Sequence, residues 1–429
     1  MKKFLALIIA VVLAVSGLSV ISITANAATI FISGNYEYTV NSDDTVNIAG
    51  YKGIATDITI PSQILNKNVV KISANSFYNN STLTSVKIPN TIKVVGSMAF
   101  HNCTKLSKVT LSSNLTKIGY NAFEGTTALT TITIPKTLTN SDYSIFRNSG
   151  LKTAIIENGA TAVPAALFSD ANNLTKVTIP NTVKKIGVSA FSNCTKLSSI
   201  TLPNTLTELG YNAFGGTTAL TAITIPKTVT TAGNNVFNGS ALKSAAIEKG
   251  ATAVADNLFC YAKNLTKVTI PNTVKKIGSM SFYDCTKLSS VTLPNTLTSI
   301  ETSAFKNCQA MKSITIPKSV TYFGTTAVGY SDGRVIDGFI IYGYKNTKAQ
   351  TYATKNKITF KALQEETVPV GDINNDGKID VSDVTYLQMY LSGDSSYVIK
   401  NTKAADANGD GKIDVADVTQ IQNIIASAA

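Results

Sequence analysis

The apolar and polar positions of this chain follow one pattern that returns many times. A phenylalanine recurs at intervals of 22 or 23 residues. A closely similar phrase precedes most of them, written in one repeat as Leu83-x-x-Val86-x-Ile88-Pro89 and then Ile92-x-x-Val95-Gly96-x-x-Ala99-Phe100. A fixed period of this length is typical of repeat proteins, in which each unit packs only on its neighbours. The eleven phenylalanines are Phe77, Phe100, Phe123, Phe146, Phe168, Phe191, Phe214, Phe237, Phe259, Phe282 and Phe305.

The pattern within one repeat predicts a short strand and a tight coil. In Val268-Thr269-Ile270 two apolar side chains flank one polar side chain, as a half-buried strand requires. Pro271 has no amide hydrogen with which to continue a ladder, so it ends the strand. Gly278 is expected to permit the next bend, and Phe282 to fill the interior of the coil. The sequence therefore predicts a β-rich solenoid of about 11–12 coils of 22–23 residues.

A longer period of 91 residues is superposed on the short one. The block 181–187 returns as 272–278, which indicates that the array grew by duplication of a four-repeat unit. Four cysteines share one repeat position, and this predicts small buried thiols rather than a disulfide framework. A bridge between the last two of them, on neighbouring coils, stays open as an alternative. The four are Cys103, Cys194, Cys285 and Cys308.

Over residues 55–328 the repeated phrase closely resembles the BspA-like leucine-rich repeat of bacterial surface proteins. The resemblance implies a leucine-rich-repeat solenoid. Two segments, 154–157 and 245–248, depart from the pattern because Glu stands where Pro is expected, and we predict that these coils bend the solenoid or interrupt its surface. Flanking segments, 28–54 and 329–363, are predicted to form caps that shield the terminal coils from edge pairing.

The amino terminus has the features of an export signal. Lys2 and Lys3 precede an apolar run, and Ala25-Asn26-Ala27 follows as a small-x-small site. We predict a secretory signal peptide over residues 1–27 and a secreted, extracellular or cell-surface protein without a membrane span after cleavage. An uncleaved membrane anchor is the alternative, because the apolar run is long enough to span a bilayer.

Composition and charge narrow the possible functions. The chain of 429 residues has no Trp and one His, which leaves little for a histidine pair or a His-rich metal site. Its net charge of +12 divides unevenly, because nine Asp and four Lys follow residue 370. With only Arg147 and Arg334 as arginines, a nucleic-acid reader is not indicated.

A catalytic centre is not indicated either. Glu124, Glu208 and Glu301 do not recur as pairs on neighbouring coils, so a two-carboxylate glycosidase site is not predicted. The lone His101 is expected to be a surface substituent. We therefore predict that the protein is not an enzyme.

A row of threonines forms the candidate ligand face of the solenoid. The outward residue of most short strands is Thr, which predicts a regular ladder of hydroxyls at a spacing of roughly 4.8 Å. Thr is β-branched and suits an exposed strand, so a purely structural role is one interpretation. A face for a glycan or a protein ligand is the second. The members are Thr110, Thr133, Thr178, Thr201, Thr224, Thr269, Thr292 and Thr315.

Near the carboxy terminus two twelve-residue segments place oxygen side chains at positions 1, 3, 5, 9 and 12, with Gly at position 6. This spacing is typical of calcium loops of EF-hand type, in which the position-7 residue offers its backbone carbonyl. The first loop uses Asp372, Asn374, Asp376, Lys378, Asp380 and Asp383; the second uses Asp406, Asn408, Asp410, Lys412, Asp414 and Asp417. We predict two bound Ca²⁺ ions.

Each loop is followed by an apolar helical stretch and neither has Glu at position 12. This duplicated loop-helix arrangement over residues 371–427 resembles a type I dockerin, with residues 364–370 as a linker. The resemblance implies calcium-dependent binding to a cohesin domain of a cellulosomal scaffoldin. By the same resemblance, cohesin is contacted by Val381, Ser382, Gln388 and Met389 in the first half and by Val415, Ala416, Gln422 and Asn423 in the second.

Together these features predict a secreted, noncatalytic, cellulosome-associated protein whose solenoid presents a binding face. Two alternatives are a cellulosomal enzyme acting on plant cell wall polysaccharide and an inert structural spacer. The best-known dockerins have a Ser-Thr pair where this chain has Val-Ser and Val-Ala, so a more apolar cohesin contact is expected.

Overall fold

The computed structural model describes residues 29–364 and 369–428, which form two compact units divided between Lys361 and Ala362. The predicted signal peptide lies outside the described residues, as does much of the predicted linker. Within the described ranges, no helix combines the length and the apolar character that a membrane crossing requires.

The first unit is a solenoid with two series of strands. Strands of the first series have three or four residues and form sheets of three strands each. Neighbours within these sheets are parallel, as in the register that joins Thr133, Ile155 and Thr178. The series comprises Asp57–Thr59, Ser85–Lys87, Lys108–Thr110, Thr131–Ile134, Thr153–Ile156, Lys176–Thr178, Ala222–Ile225, Ser244–Ile247, Lys267–Thr269 and Ser313–Thr315.

Strands of the second series are mostly two residues long and also pair in parallel from coil to coil. They comprise Val46–Tyr51, Lys67–Ile72, Val94–Val95, Lys117–Ile118, Asn140–Ser141, Ala162–Val163, Lys185–Ile186, Glu208–Leu209, Thr231–Ala232, Ala253–Val254, Lys276–Ile277, Ser299–Ile300 and Tyr322–Phe323.

Both ends of the solenoid continue these ladders. An antiparallel hairpin precedes the second series, which begins with Val46–Tyr51, and Ser313–Thr315 pairs in parallel with a later strand. The fold has about 14 turns, slightly more than the 11–12 coils predicted. The predicted β-solenoid is thus confirmed. The remaining elements are Phe31–Ser33, Tyr36–Val40, Gln63–Ile64, Tyr330–Ser331, Arg334–Val335, Ile340–Gly343, helix α1 (Lys348–Lys355) and Thr359–Ala362.

The eleven phenylalanines form a continuous stack inside the solenoid, with ring centroids 4.9–6.0 Å apart. All are almost completely buried. The two longest separations, 6.0 Å for Phe146–Phe168 and 5.8 Å for Phe237–Phe259, fall at the two 22-residue intervals. The rings there are also tilted most, by 24° and 21°, so the shorter coils turn the stack locally.

Left-handed backbone conformations bracket each phenylalanine, and the sequence analysis missed them. Asn212 has φ of 54°, and Gly216 has φ of 68°, two residues before and two after Phe214. Asn and Gly tolerate this conformation better than other residues, which explains their frequency at these positions. Gly278, expected to permit the bend, does not adopt a left-handed φ. A Cβ atom at Gly278 would lie 2.6 Å from the Val254 carbonyl oxygen, so close packing of coils is what favours Gly there.

The cysteines are free thiols in the solenoid interior. The four that share one repeat position each donate to the carbonyl of a phenylalanine one coil earlier, as Cys103 does to Phe77 at 3.1 Å. Thr126 and Ser149 occupy the same position in other coils, but their hydroxyls donate to the carbonyl of the phenylalanine in their own coil, Phe123 and Phe146. The position therefore requires a small side chain, whether or not that side chain donates a hydrogen bond.

The second unit contains helices α2 (Val381–Leu391), α3 (Thr402–Ala405) and α4 (Val415–Ala428). Its core is small and consists mainly of Ile373, Val384, Leu387, Ala405, Val418 and Ile421. Asp380 caps α2, because its side chain accepts a hydrogen bond from the Ser382 amide. Gly371 ties the two halves together by donating its amide to the Ala404 carbonyl at 2.9 Å.

Candidate functional site

The first candidate calcium loop is folded around a buried carboxylate. Asp372, only 2% exposed, accepts the Asp376 amide at Oδ1 and the Gly377 amide at Oδ2, at 3.1 and 3.0 Å. Gly377 has φ of 87°, the left-handed conformation that the sharp turn at position 6 requires. The side chain at position 1 is therefore held in place by the loop's own backbone.

The carboxylate at position 12 joins this loop to its helix. Asp383 is completely buried, and its Oδ1 accepts the amides of Ile373 and Asn374 at 2.7 and 3.1 Å. Its Oδ2 accepts the Asp380 amide at 3.0 Å, which closes the capping box of α2. A hydrogen bond from Ser382 lowers the pKa of Asp380 below its usual value.

The second loop repeats this construction 34 residues later. Asp417 is completely buried and accepts the amides of Asn408 at 3.1 Å and Asp414 at 2.9 Å. Asp406 accepts the Gly411 amide at Oδ2, at 2.9 Å. Its Oδ1 is buried and has no hydrogen-bond partner among the described residues. That oxygen is therefore a buried acceptor whose hydrogen-bonding capacity the described residues do not use.

The backbone amides that donate to the side chains at positions 3 and 5 are the same in both loops. Asn374 accepts from Asp376, and Asp376 from Lys378, both at 2.9 Å. In the second loop, Asn408 accepts from Asp410, and Asp410 from Lys412, again at 2.9 Å. Each position-7 lysine is exposed, so its side chain takes no part in shaping the loop interior.

The donor set fits a hard cation. Burying a carboxylate is costly unless a cation or hydrogen bonds compensate for it, and no Lys or Arg of the described residues pairs with the loop aspartates. Within residues 29–364 and 369–428, no three carboxylate, thiol or imidazole groups lie close enough to hold a metal by themselves. Each predicted loop set adds an Asn amide oxygen and a backbone carbonyl oxygen to its four aspartates, and Ca²⁺ accepts oxygens of all three kinds. The partnerless Asp406 oxygen supports such a cation.

The predicted cohesin contacts lie at the starts and along the middles of α2 and α4. Val381 and Val415 are 68% and 71% exposed, which is unusual for large aliphatic side chains. Of the other six predicted contacts, Met389 alone is partly buried and the remainder are exposed. The two halves therefore offer two similar faces, each centred on an exposed valine.

All eight threonines of the candidate ligand face are exposed. Six of them lie in strands of the first series, and the strand register places each of these beside Lys87, Ile155, Ala246 or Tyr342. Thr201 and Thr292 lie in segments that form no strand, so the sheet is interrupted at those two coils. The ladder predicted from the sequence is thus present as an exposed row but not as one continuous sheet.

The two segments with Glu in place of Pro have a structural role that the sequence analysis missed. Glu248 donates its amide to the Ile225 carbonyl at 3.0 Å, which Pro could not do. Its carboxylate accepts the Lys227 amide at 3.0 Å. Glu157 makes the same two bonds, to Ile134 and from Lys136. The sequence feature that indicates this role is the replacement of Pro by Glu at two equivalent positions, which lie 91 residues apart.

His101 is less exposed than expected for a surface substituent. Its side chain is 16% exposed and stacks on Tyr78 with ring centroids 4.9 Å apart. Its Nε2 lies 3.4 Å from Glu124 Oε2, whose other oxygen lies 3.9 Å from Arg147 Nε. These four residues occupy one repeat position on successive coils and pack as a lateral row.

Solved structures with similar chains come from several bacteria. A leucine-rich cell surface protein from Faecalibacterium prausnitzii A2-165 is 28% identical, covers 70% of this chain and 96% of its own, and gives a TM-score of 0.40. Leucine-rich repeat proteins from Bacteroides ovatus ATCC 8483 and Eubacterium ventriosum ATCC 27560 are 24% and 27% identical. They cover 78% and 71% of this chain and 100% and 95% of their own, with TM-scores of 0.43 and 0.41.

A comparison with curated proteins finds no match. Two family models do match the sequence. The type I dockerin model matches residues 370–426. The model described as the BspA type leucine rich repeat region matches 54–175, 161–262 and 252–332, which is well over half of the chain. The chain belongs to the BspA-type leucine-rich-repeat family and carries a type I dockerin domain at its carboxy-terminal end.

Proposed function

We propose that this protein is a secreted, noncatalytic component of a cellulosome-type assembly. Its dockerin attaches it to a scaffoldin by calcium-dependent cohesin binding, and its solenoid presents a binding face to a glycan or a protein. The observation that carries the proposal is the buried Asp406 Oδ1, which has no partner among the described residues and lies in one of two loops of matching construction. The dockerin match over residues 370–426 supports the choice of partner.

Two calcium ions are proposed, one in each loop, held by the twelve residues predicted from the sequence. When bound, Ca²⁺ supplies the positive charge that balances the aspartates. The chain's own contribution is rigidity, because Asp383 and Asp417 each join a loop to the first turn of a helix. This linkage holds the exposed valines at the helix starts in a fixed position relative to the loops.

The cohesin face is proposed to centre on Val381 in one half and on Val415 in the other. Apolar side chains that are more than two-thirds exposed are the kind of group that a partner buries. Because both halves have Val at position 10 and a small residue at position 11, either half can present the face. We propose that the dockerin binds cohesin in two orientations.

Localisation and the absence of catalysis rest on the sequence and the family matches. The predicted signal over residues 1–27 and the likeness to bacterial leucine-rich surface proteins support an extracellular or cell-surface location. Both matched families are domain types without catalytic activity. We also propose the domain limits that the sequence predicts.

A pull-down of the full chain with immobilised scaffoldin cohesins tests the docking step. We expect capture in calcium and loss of capture in a chelator. The double variant Asp372→Ala/Asp406→Ala should lose binding, because it removes the position-1 carboxylate from both loops. The matched control is Lys378→Ala/Lys412→Ala, which removes side chains at position 7 but keeps the backbone carbonyls and should bind as wild type. Equal capture of the aspartate variant in calcium would contradict the proposal.

The same preparation separates the two alternatives for the solenoid. Turnover of plant polysaccharides would make the protein a cellulosomal enzyme. Failure to bind any glycan or protein, with cohesin capture intact, would make the solenoid a spacer.

A further inference from the structure

A depression with a volume of about 640 Å³ lies on the threonine face of the solenoid. It spans four neighbouring coils, from Ser199 and Thr201 through Ala222 and Ala246 to Lys267, and Glu248 lies in its wall. Volumes of this size are typical of small-molecule sites.

Several side chains that line the depression are smaller than their counterparts in the earlier duplicated block. At four outward positions that line it, the side chain is smaller than the one 91 residues earlier, whereas the core keeps residues such as Ala154 and Ala245. The earlier block has an exposed Ile155 where the later one has Ala246 between Thr224 and Thr269. The four pairs are Lys108 and Ser199, Thr131 and Ala222, Thr153 and Ser244, and Ile155 and Ala246.

The lining is rich in groups that bond to hydroxyls. Thr201, Thr224 and Thr269 provide hydroxyls, and Lys267 provides an ammonium group. Glu248 is fixed by the Lys227 amide at Oε2, which leaves Oε1 as an acceptor. Of the described residues, 199–202 form no backbone hydrogen bonds to neighbouring coils, so their amides and carbonyls can also bond to a ligand.

The chemistry favours a sugar over a protein. None of the lining residues is a large, exposed apolar side chain, whereas protein interfaces depend on buried aromatic and apolar anchors. A sugar presents a ring face of C–H groups and a rim of hydroxyls. The small side chains of Ala222 and Ala246 make room for the ring face, and the surrounding oxygens and Lys267 can bond to the rim.

We propose that this depression binds a short, neutral oligosaccharide segment. The proposal rests on the proposed function, in which the solenoid presents a binding face, and assigns that face to residues of the second duplicated block. Ala246 is the specificity-determining position, because an isoleucine there, as at residue 155, fills the space between the two threonines.

Calorimetry of the full chain with cellohexaose, xylohexaose and mannohexaose tests the proposal. We expect at least one hexasaccharide to bind, and Ala246→Ile to weaken it roughly tenfold. Ile stands at the equivalent position of the first block with the same strand pairing, so the variant is expected to fold. Ile155→Ala is the matched control and should leave the affinity unchanged. Circular dichroism and cohesin capture report on the fold of every variant.

The proposal would be overturned by no binding of any hexasaccharide to the wild type, or by equal binding of a hexasaccharide to the wild type and to Ala246→Ile. Binding of a protein ligand that Ala246→Ile abolishes, with no sugar bound, would also overturn it. Cohesin capture is measured in a separate experiment. The sugar-binding proposal can therefore fail while the proposed docking to cohesin still holds.

Discussion

The two units of this protein are stabilised in opposite ways. The solenoid buries a continuous row of aromatic rings and aliphatic side chains that extends through every repeat. The dockerin has a core of only a few aliphatic residues and buries Asp372, Asp383 and Asp417 beside it. Apolar packing needs nothing from outside the chain, whereas buried like charges need a counter-charge. One unit is therefore expected to be stable alone and the other to depend on calcium.

Removal of calcium is expected to have the largest effect. A chelator should unfold the dockerin of the full chain and leave the solenoid unchanged, because all the fully buried carboxylates among the described residues lie in the dockerin. At a calcium concentration a thousandfold above Kd, linkage predicts about 4 kcal/mol of stabilisation. Differential scanning calorimetry with and without calcium should show one transition that moves and one that does not. A calcium-dependent shift of both transitions would contradict the expectation that the dockerin depends on calcium and the solenoid does not.

Disruption of the aromatic stack should destabilise the solenoid and leave the dockerin unchanged. Phe191→Ala removes a fully buried ring that lies 5.5 and 5.3 Å from its neighbours. The expected cost is about 3–5 kcal/mol in the free energy of unfolding of the solenoid, measured by urea denaturation. Thr201→Ala, which truncates an exposed side chain, is the control and should cost less than about 0.5 kcal/mol. Calcium binding by the dockerin should be the same in both variants.

The buried thiols predict a pH dependence confined to the solenoid. Burial raises the pKa of Cys103 to about 12 and that of Cys260 to about 11, and it also raises the pKa of the other three. In the folded state the thiols resist ionisation, whereas in the unfolded state they ionise near pH 8.5, the usual thiol pKa. The stability that the neutral buried thiols contribute is therefore complete below about pH 8.5 and is lost as pH rises toward 12.

Urea denaturation between pH 8 and pH 11 checks this expectation. Cys103→Thr is the matched variant, because Thr126 occupies the same repeat position and donates to a Phe carbonyl. The variant should lose less stability than the wild type as pH rises, by about 1.4 kcal/mol per pH unit at most. Identical pH profiles for the two proteins would refute the role of the thiol.

Periodicity explains why so much of the solenoid was predictable. Eleven phenylalanines on one lattice define the coil length, and alternation as in Val268-Thr269-Ile270 defines which side chains face inward. The left-handed turns beside each phenylalanine were not predicted, because Asn, Ser, Asp and Met all occur there and no single residue type marks the position. The calcium-loop residues stay a prediction, which depends on the spacing of oxygen side chains along the two loops. The depression was not predicted, because it is formed by side chains of four coils together and no single repeat shows it.

The smallest expected effect concerns the two coils that depart from the repeat pattern. Glu157→Ala removes the carboxylate that accepts the Lys136 amide at 2.9 Å but keeps the amide bond to Ile134. The expected cost is about 1 kcal/mol, the usual net value of one hydrogen bond, and urea denaturation of the solenoid measures it. Lys136→Ala is the control, because the bond uses its backbone and not its side chain. Glu157→Pro should cost more than Glu157→Ala, since it removes the donor to Ile134 as well. If all three variants unfold at the wild-type urea concentration, these glutamates do not stabilise the coil junction, and the local tilt of the phenylalanine rings there follows from the shorter repeat alone.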